Sequence, residues 1–170
     1  DEDAELTLFY APEAGVEPHF AAMCVVARTL RERGHRVLFA RCHELFARCP
    51  VMDVSRTPYP TPAKSKMHAC IRCASASLRM LDAYGLECID LRALHTQEMD
   101  LRAQQAMHAM PDDLRLFEFD GIAFGKLCAH DLILQTKIAD LEHVEDTHRS
   151  AWLEYIKASV LSYLLVDQLC

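Results

Sequence analysis

Apolar residues along the chain change period at recognisable punctuation marks. Leu6-Thr7-Leu8-Phe9-Tyr10-Ala11 is a short run of apolar and strand-favouring residues closed by Pro12, which predicts a buried strand. From Phe20 to Arg33 the apolar residues recur three and four apart, which predicts a helix. It is expected to lay Ala21, Ala22, Val25, Val26, Thr29 and Leu30 on a sheet and to turn Arg28, Arg31, Glu32 and Arg33 towards solvent. Gly34 stops the helix, and His35 to Ala40 reads as a second strand. A strand, helix and strand of these lengths form about the smallest parallel crossover a chain can make.

Beyond this unit the pattern continues in the same manner. Cys42 to Cys49 reads as a short helix at the carboxyl end of the second strand. Pro50, Pro58, Pro60 and Pro62 make Cys49 to Pro62 an extended, irregular crossing. Ala63 to Tyr84 is a helix ended by Gly85, and Leu86 to Leu91 is a third strand with Cys88 in its core. Thr96 caps a helix running to Met110, with Met99 three residues on. Leu114 to Asp120 alternates as a short strand or helix end, and Gly121 to Lys126 is a turn before a helix from Leu127 to Ile138. The Gly-x3-Gly-Lys spacing is not a phosphate-binding P-loop, which needs four residues between its glycines and Ser or Thr after the lysine. Glu142 to Cys170 closes the chain as a long helix, with Thr147 and Ser150 as N-cap candidates and an apolar band through Trp152, Tyr155, Ile156, Val160, Tyr163 and Leu164. The pattern predicts a single α/β domain over 1–170: a short, mostly parallel sheet with helices on both sides and a helical C-terminal half.

Composition narrows the functional classes. An apolar fraction of 51% with 25% charged residues describes an ordinary globular chain. The net charge of −7 argues against a general nucleic-acid or anionic-membrane partner. No stretch approaches the ~20 apolar residues of a membrane span, and no secretory leader is evident, so a cytoplasmic location is expected. The opening Asp-Glu-Asp-Ala lacks a methionine, which suggests a processed chain or an excised domain.

The eight cysteines are the main chemical signal. In a reducing compartment they read as metal ligands or small core residues rather than disulfides. Cys42, Cys49, Cys70 and Cys73 follow C-x6-C-x20-C-x2-C, and Cys70 and Cys73 share one helix face. Four thiols suit a structural zinc ion or an iron–sulfur cluster, and the same four read equally as buried or exchangeable thiols. If the metal site is itself the functional element, the chain is a redox or sensing domain.

The strand, the loop Ala11-Pro12-Glu13-Ala14-Gly15-Val16-Glu17-Pro18-His19 and the helix end Ala27-Arg28-Thr29-Leu30-Arg31-Glu32-Arg33-Gly34-His35 before Arg36-Val37-Leu38-Phe39 resemble the opening of the N-terminal domain of GT-B glycosyltransferases. More narrowly, they are similar to bacterial surface-polysaccharide transferases. The resemblance covers Leu6 to Phe39. It implies a Rossmann-like, acceptor-binding domain for polysaccharide biosynthesis, with Gly15 and His19 touching a glycan acceptor and His19 or Glu13 as base. It further implies a separate C-terminal donor domain, for which this chain is too short, so the chain would be the N-terminal half of a two-domain protein with its cysteines structural. An exposed Leu164-Leu165-Val166 end would then face the missing domain, or form a homodimer through the C-terminal helix.

Overall fold

A computed structural model describes residues 5–54, 61–138, 141 and 144–169. The proline-rich stretch at Pro58 and Pro60, the expected helix start at Glu142 and the helix end at Cys170 lie outside the described residues. The chain forms two compact units, passing from one to the other between Leu94 and His95.

The first unit holds β1 (Leu6–Ala11), α1 (Glu17–Glu32), β2 (Arg36–Arg41), α2 (Pro50–Val54), α3 (Ala63–Tyr84) and β3 (Cys88–Asp90). The strands pair in parallel in the order β1-β2-β3, the Rossmann-like arrangement that the alternating pattern predicts. α1 starts with Pro18 in its first turn, where the missing N–H costs nothing. Gly85 ends α3 in the left-handed conformation, with Leu86 N–H bonded back to Leu81 at 2.8 Å. The core is aromatic: Phe39 stacks on Phe9 at 4.9 Å and meets the edge of Phe20 at 5.5 Å.

α1 is rotated from its expected setting. Phe20, Cys24 and Ala27 are buried, while Ala22, Val25, Val26 and Thr29 are exposed. Phe20 packs on Phe39, and the small Cys24 and Ala27 on the same stripe allow the close approach that the larger valines would block. Cys42 to Cys49 is a turn and irregular segment rather than a helix, and the short α2 begins only at Pro50, inside the span expected to be extended.

The second unit holds α4 (Gln97–His108), α5 (Phe124–Thr136) and α6 (Asp146–Leu169), with a 3-10 turn at Leu114–Leu116. Thr96 caps α4 as expected, its hydroxyl accepting from Met99 N–H at 3.3 Å. The stretch before α5, expected as a short strand or helix end, is that 3-10 turn and a bridge between Phe119 and Ile122. Between them Asp120 and Gly121 both take positive φ, the backbone an Asp-Gly hairpin turn requires. α5 starts three residues earlier than expected, at Phe124. Thr147 and Ser150 lie within α6 instead of capping it. Trp152, Tyr155, Ile156 and Val160 are buried as the apolar band predicts. Leu164 and Leu165, expected at an exposed end, are buried as well. Among the described residues, no helix is long and apolar enough to cross a membrane.

Candidate thiol site at the carboxyl end of the sheet

The three strands end flush. Ala11 is the register partner of Arg41, and Arg41 is the register partner of Asp90. Ligand crevices of open parallel sheets lie beyond such carboxyl ends. Here that position holds a cavity open on one side.

All four of the spaced cysteines line it. Cys42 follows the last residue of β2, Cys49 precedes α2, and Cys70 and Cys73 come from successive turns of α3. None of them is in a disulfide. Three of the sulfurs are targets of backbone N–H groups: those of Phe46, Leu45 and Glu44 act on Cys42, those of Met52 and Val51 on Cys49, and that of Gly15 on Cys73. Such donors favour the thiolate. Burial outweighs them, pushing Cys49 up to about 12 and Cys70 up to about 11, and raising Cys42 and Cys73 as well. After burial, mutual repulsion adds to this: Cys42 and Cys70 act on Cys49, Cys42 and Cys73 on Cys70, and Cys42 on Cys73. Lys66 eases Cys42 and Cys70, and Arg41 eases Cys73. The thiols are therefore neutral at pH 7, close enough to repel one another once ionised, and supplied with donors that a thiolate would use.

The segment carrying Cys42 is unusual. His43 and Glu44 both have positive φ, 43° and 65°, and Leu45 N–H bonds to Cys42 O at 3.3 Å. Two successive left-handed residues are the geometry of a type I′ turn, which ordinarily takes Gly, Asn or Asp. His43 Nδ1 lies 2.9 Å from Asp90 Oδ2, and the other oxygen of that carboxylate accepts from Arg41 at 2.7 Å. Arg41 is only 5% exposed and donates its other end to Ser77 Oγ at 2.9 Å.

The loop residues singled out by the resemblance divide. Pro12 and Ala14 line the cavity. Gly15 packs against α3: a Cβ there would lie 2.9 Å from both Cβ and Sγ of Cys73, so its small size serves this close approach. Glu13 is half-buried and its charge acts on the Cys73 thiol, whereas His19 is exposed on the first turn of α1 and is not part of the cavity wall.

Arg41, His43 and Asp90 carry no signal in the sequence, because their relation exists only once β2 and β3 are in register. Among the described residues, no group of three or more His, Cys, Asp or Glu side chains is already placed to hold a metal ion. No protein family, curated protein or solved structure matches this chain.

Proposed function

We propose that the cavity is a thiolate metal site, built from Cys42, Cys49, Cys70 and Cys73, and that the first unit is the scaffold that presents it. The observation that carries this reading is the convergence of all four thiols on one small cavity, with backbone N–H groups directed at three of the sulfurs. An ion such as zinc replaces the thiol protons, and its charge offsets the burial and the mutual repulsion that keep the thiols neutral. Among the described residues no three such side chains already stand at ligating distance, so binding requires the thiols to move together.

The test is metal and sulfide analysis of protein purified without oxygen. About one zinc per chain, lost in a Cys70→Ser, Cys73→Ser double variant, is the expected result. Iron with sulfide and absorption near ~400 nm would change the ion to a cluster. A wild-type protein that takes up neither metal on reconstitution would overturn the reading.

The pH dependence has a definite sign. Unfolded thiols titrate near ~8.5, below the folded positions of about 11 for Cys70 and about 12 for Cys49. The metal-free protein therefore keeps the full contribution of its neutral thiols below pH ~8.5, and loses it as pH rises towards the folded values. Zinc affinity moves the other way, rising with pH because each ligand must release a proton. Urea titrations of the metal-free protein, with zinc titrations beside them, between pH 6 and 10 would display both trends.

A second reading has one observation in its favour: Pro12 and Ala14, from the loop that resembles that of GT-B glycosyltransferases, line the same cavity as Cys42. Under it the unit is the acceptor-side domain of a transferase for a bacterial surface glycan. Glu13 or His19 takes the acceptor proton, the thiol site pins the loop, and another domain supplies the donor. Oligosaccharide acceptors should then shift the amide resonances of residues 12–19, and unchanged resonances at saturating sugar would count against it.

A further inference from the structure

We infer that the outward face of α3 docks an acidic amphipathic helix of a partner protein, with Met67, Ile71 and Leu78 meeting its apolar row and Lys64, Arg72 and Arg79 its carboxylates. This surface lies outside the thiol cavity and does not depend on what that cavity holds.

α3 carries apolar side chains on two sides. Its inner side buries Ala69 and Leu81. On its outer side Met67, Ile71 and Leu78 are 52%, 52% and 46% exposed. Spacings of four and seven residues set these three in one row along the helix. Arg72 and Arg79, each one position after a member of that row and seven apart, form a second exposed row to one side of it.

The charge of this helix runs against that of the chain. α3 holds Lys64, Lys66, Arg72 and Arg79 against Asp82 alone, whereas the chain has a net charge of −7. Other arginines are matched to carboxylates: Arg28 to Glu32, Arg41 to Asp90, Arg102 to Asp120 and Arg115 to Asp113. Among the described residues, no ion pair involves Lys64, Arg72 or Arg79. Helix stability does not account for the pattern either. The first turn of α3 has no acid, although the dipole favours one there, and Lys64 stands in that turn instead.

A helix with a leucine row flanked by glutamates complements both rows at once, with its apolar anchors at helical spacing. Methionine at position 67 can adjust its shape to such an anchor. A nucleic-acid backbone has no use for the apolar row. A helix lying in a lipid surface sinks its apolar face about 5–10 Å into it; α3 is fixed to a sheet by its other side, and an anionic bilayer repels a chain of this net charge.

The experiment is fluorescence anisotropy of a labelled peptide as long as α3, ~20 residues, with leucines at helical spacing and glutamates elsewhere, titrated with the whole chain. A Kd of the order of 10 μM is expected, rising with salt. The Arg72→Glu, Arg79→Glu double variant should weaken binding by at least about tenfold, and Ile71→Ser by about tenfold. Both replace exposed side chains, so their urea midpoints should match wild type. Lys126→Glu, Lys157→Glu makes the same charge change at exposed positions of the second unit and should bind like wild type. A wild type that ignores the peptide, or binds a scrambled one equally, would overturn the inference, as would equal losses in the two charge-reversed proteins. Binding to phosphatidylserine vesicles in place of the peptide would overturn it in favour of a lipid surface. Self-association abolished by Ile71→Ser would overturn it in favour of a second copy of the chain.

Discussion

Asp53→Ala should destabilise the first unit by about 3–5 kcal/mol, the range found when one partner of a buried ion pair is removed. The Asp53 side chain is 1% exposed and pairs with Arg48, whose side chain is 9% exposed. Alanine would take this buried carboxylate away from an enclosed guanidinium. Arg48 also donates to Thr61 Oγ1 at 3.0 Å, so it ties α2 to the start of the segment leading into α3. The same substitution therefore loosens Cys49, at the head of α2, from the helix that carries Cys70 and Cys73. A domain of this size has ~5–15 kcal/mol in total, so the variant should unfold at markedly lower urea and, on the thiolate reading, lose metal affinity in parallel. A double Arg48→Met, Asp53→Leu variant should regain most of the stability, because a well-packed apolar pair needs no desolvated charges. An Asp53→Ala protein within 1 kcal/mol of wild type would show that water reaches the pair.

In the second unit, Gly125→Ala should cost more than about 3 kcal/mol, at the upper end of what inserting one methyl group into a packed contact does. A Cβ at this position would run into the carbonyl oxygen of Leu114 and sit 3.0 Å from the carbonyl carbons of Leu114 and Arg115. These are backbone atoms of a 3-10 turn and have no rotamer to escape into. Both backbone groups of Gly125 are also engaged: its N–H bonds to Phe117 O at 3.0 Å, and its carbonyl accepts from Trp152 Nε1 at 3.1 Å. Moving α5 away to relieve the clash would break these bonds and open the cluster of Phe119, Phe124 and Tyr163. The single tryptophan reports directly, so urea unfolding followed by Trp152 fluorescence measures the loss. A loss below 1 kcal/mol would mean that the 3-10 turn yields easily.

Local chemistry made the elements legible. Gly34 and Gly85 mark helix ends because few other residues accept positive φ there, and Thr96 caps because its hydroxyl reaches the third N–H. The spacing of Cys42, Cys49, Cys70 and Cys73 brought one site into view, since a strand end and one helix face converge on any parallel crossover. What stayed hidden was decided across the fold. Val25 and Val26 outscore Cys24 and Ala27 as apolar residues, yet the small side chains face inward because the gap between α1 and the sheet already holds Phe20 and Phe39. Gly125 reads as a turn glycine, and its partner, Leu114, is set by packing. Arg41 and Asp90 are unremarkable charges until strand pairing puts them side by side.

On the thiolate reading, that pairing gives the flush strand ends a role in quality control. A slip of β2 by one residue would send Arg41 and Cys42 to the opposite faces of the sheet and part Arg41 from Asp90. The misaligned chain could still bury Phe39 or its neighbours against something apolar, since hydrophobic contact is indifferent to direction. It could not bring Cys42 to the cavity that Cys49, Cys70 and Cys73 line. An ion held at this edge would therefore lower the free energy of the correctly registered sheet alone, by an amount that grows with metal concentration, and β3, only three residues long, would gain most from that selection.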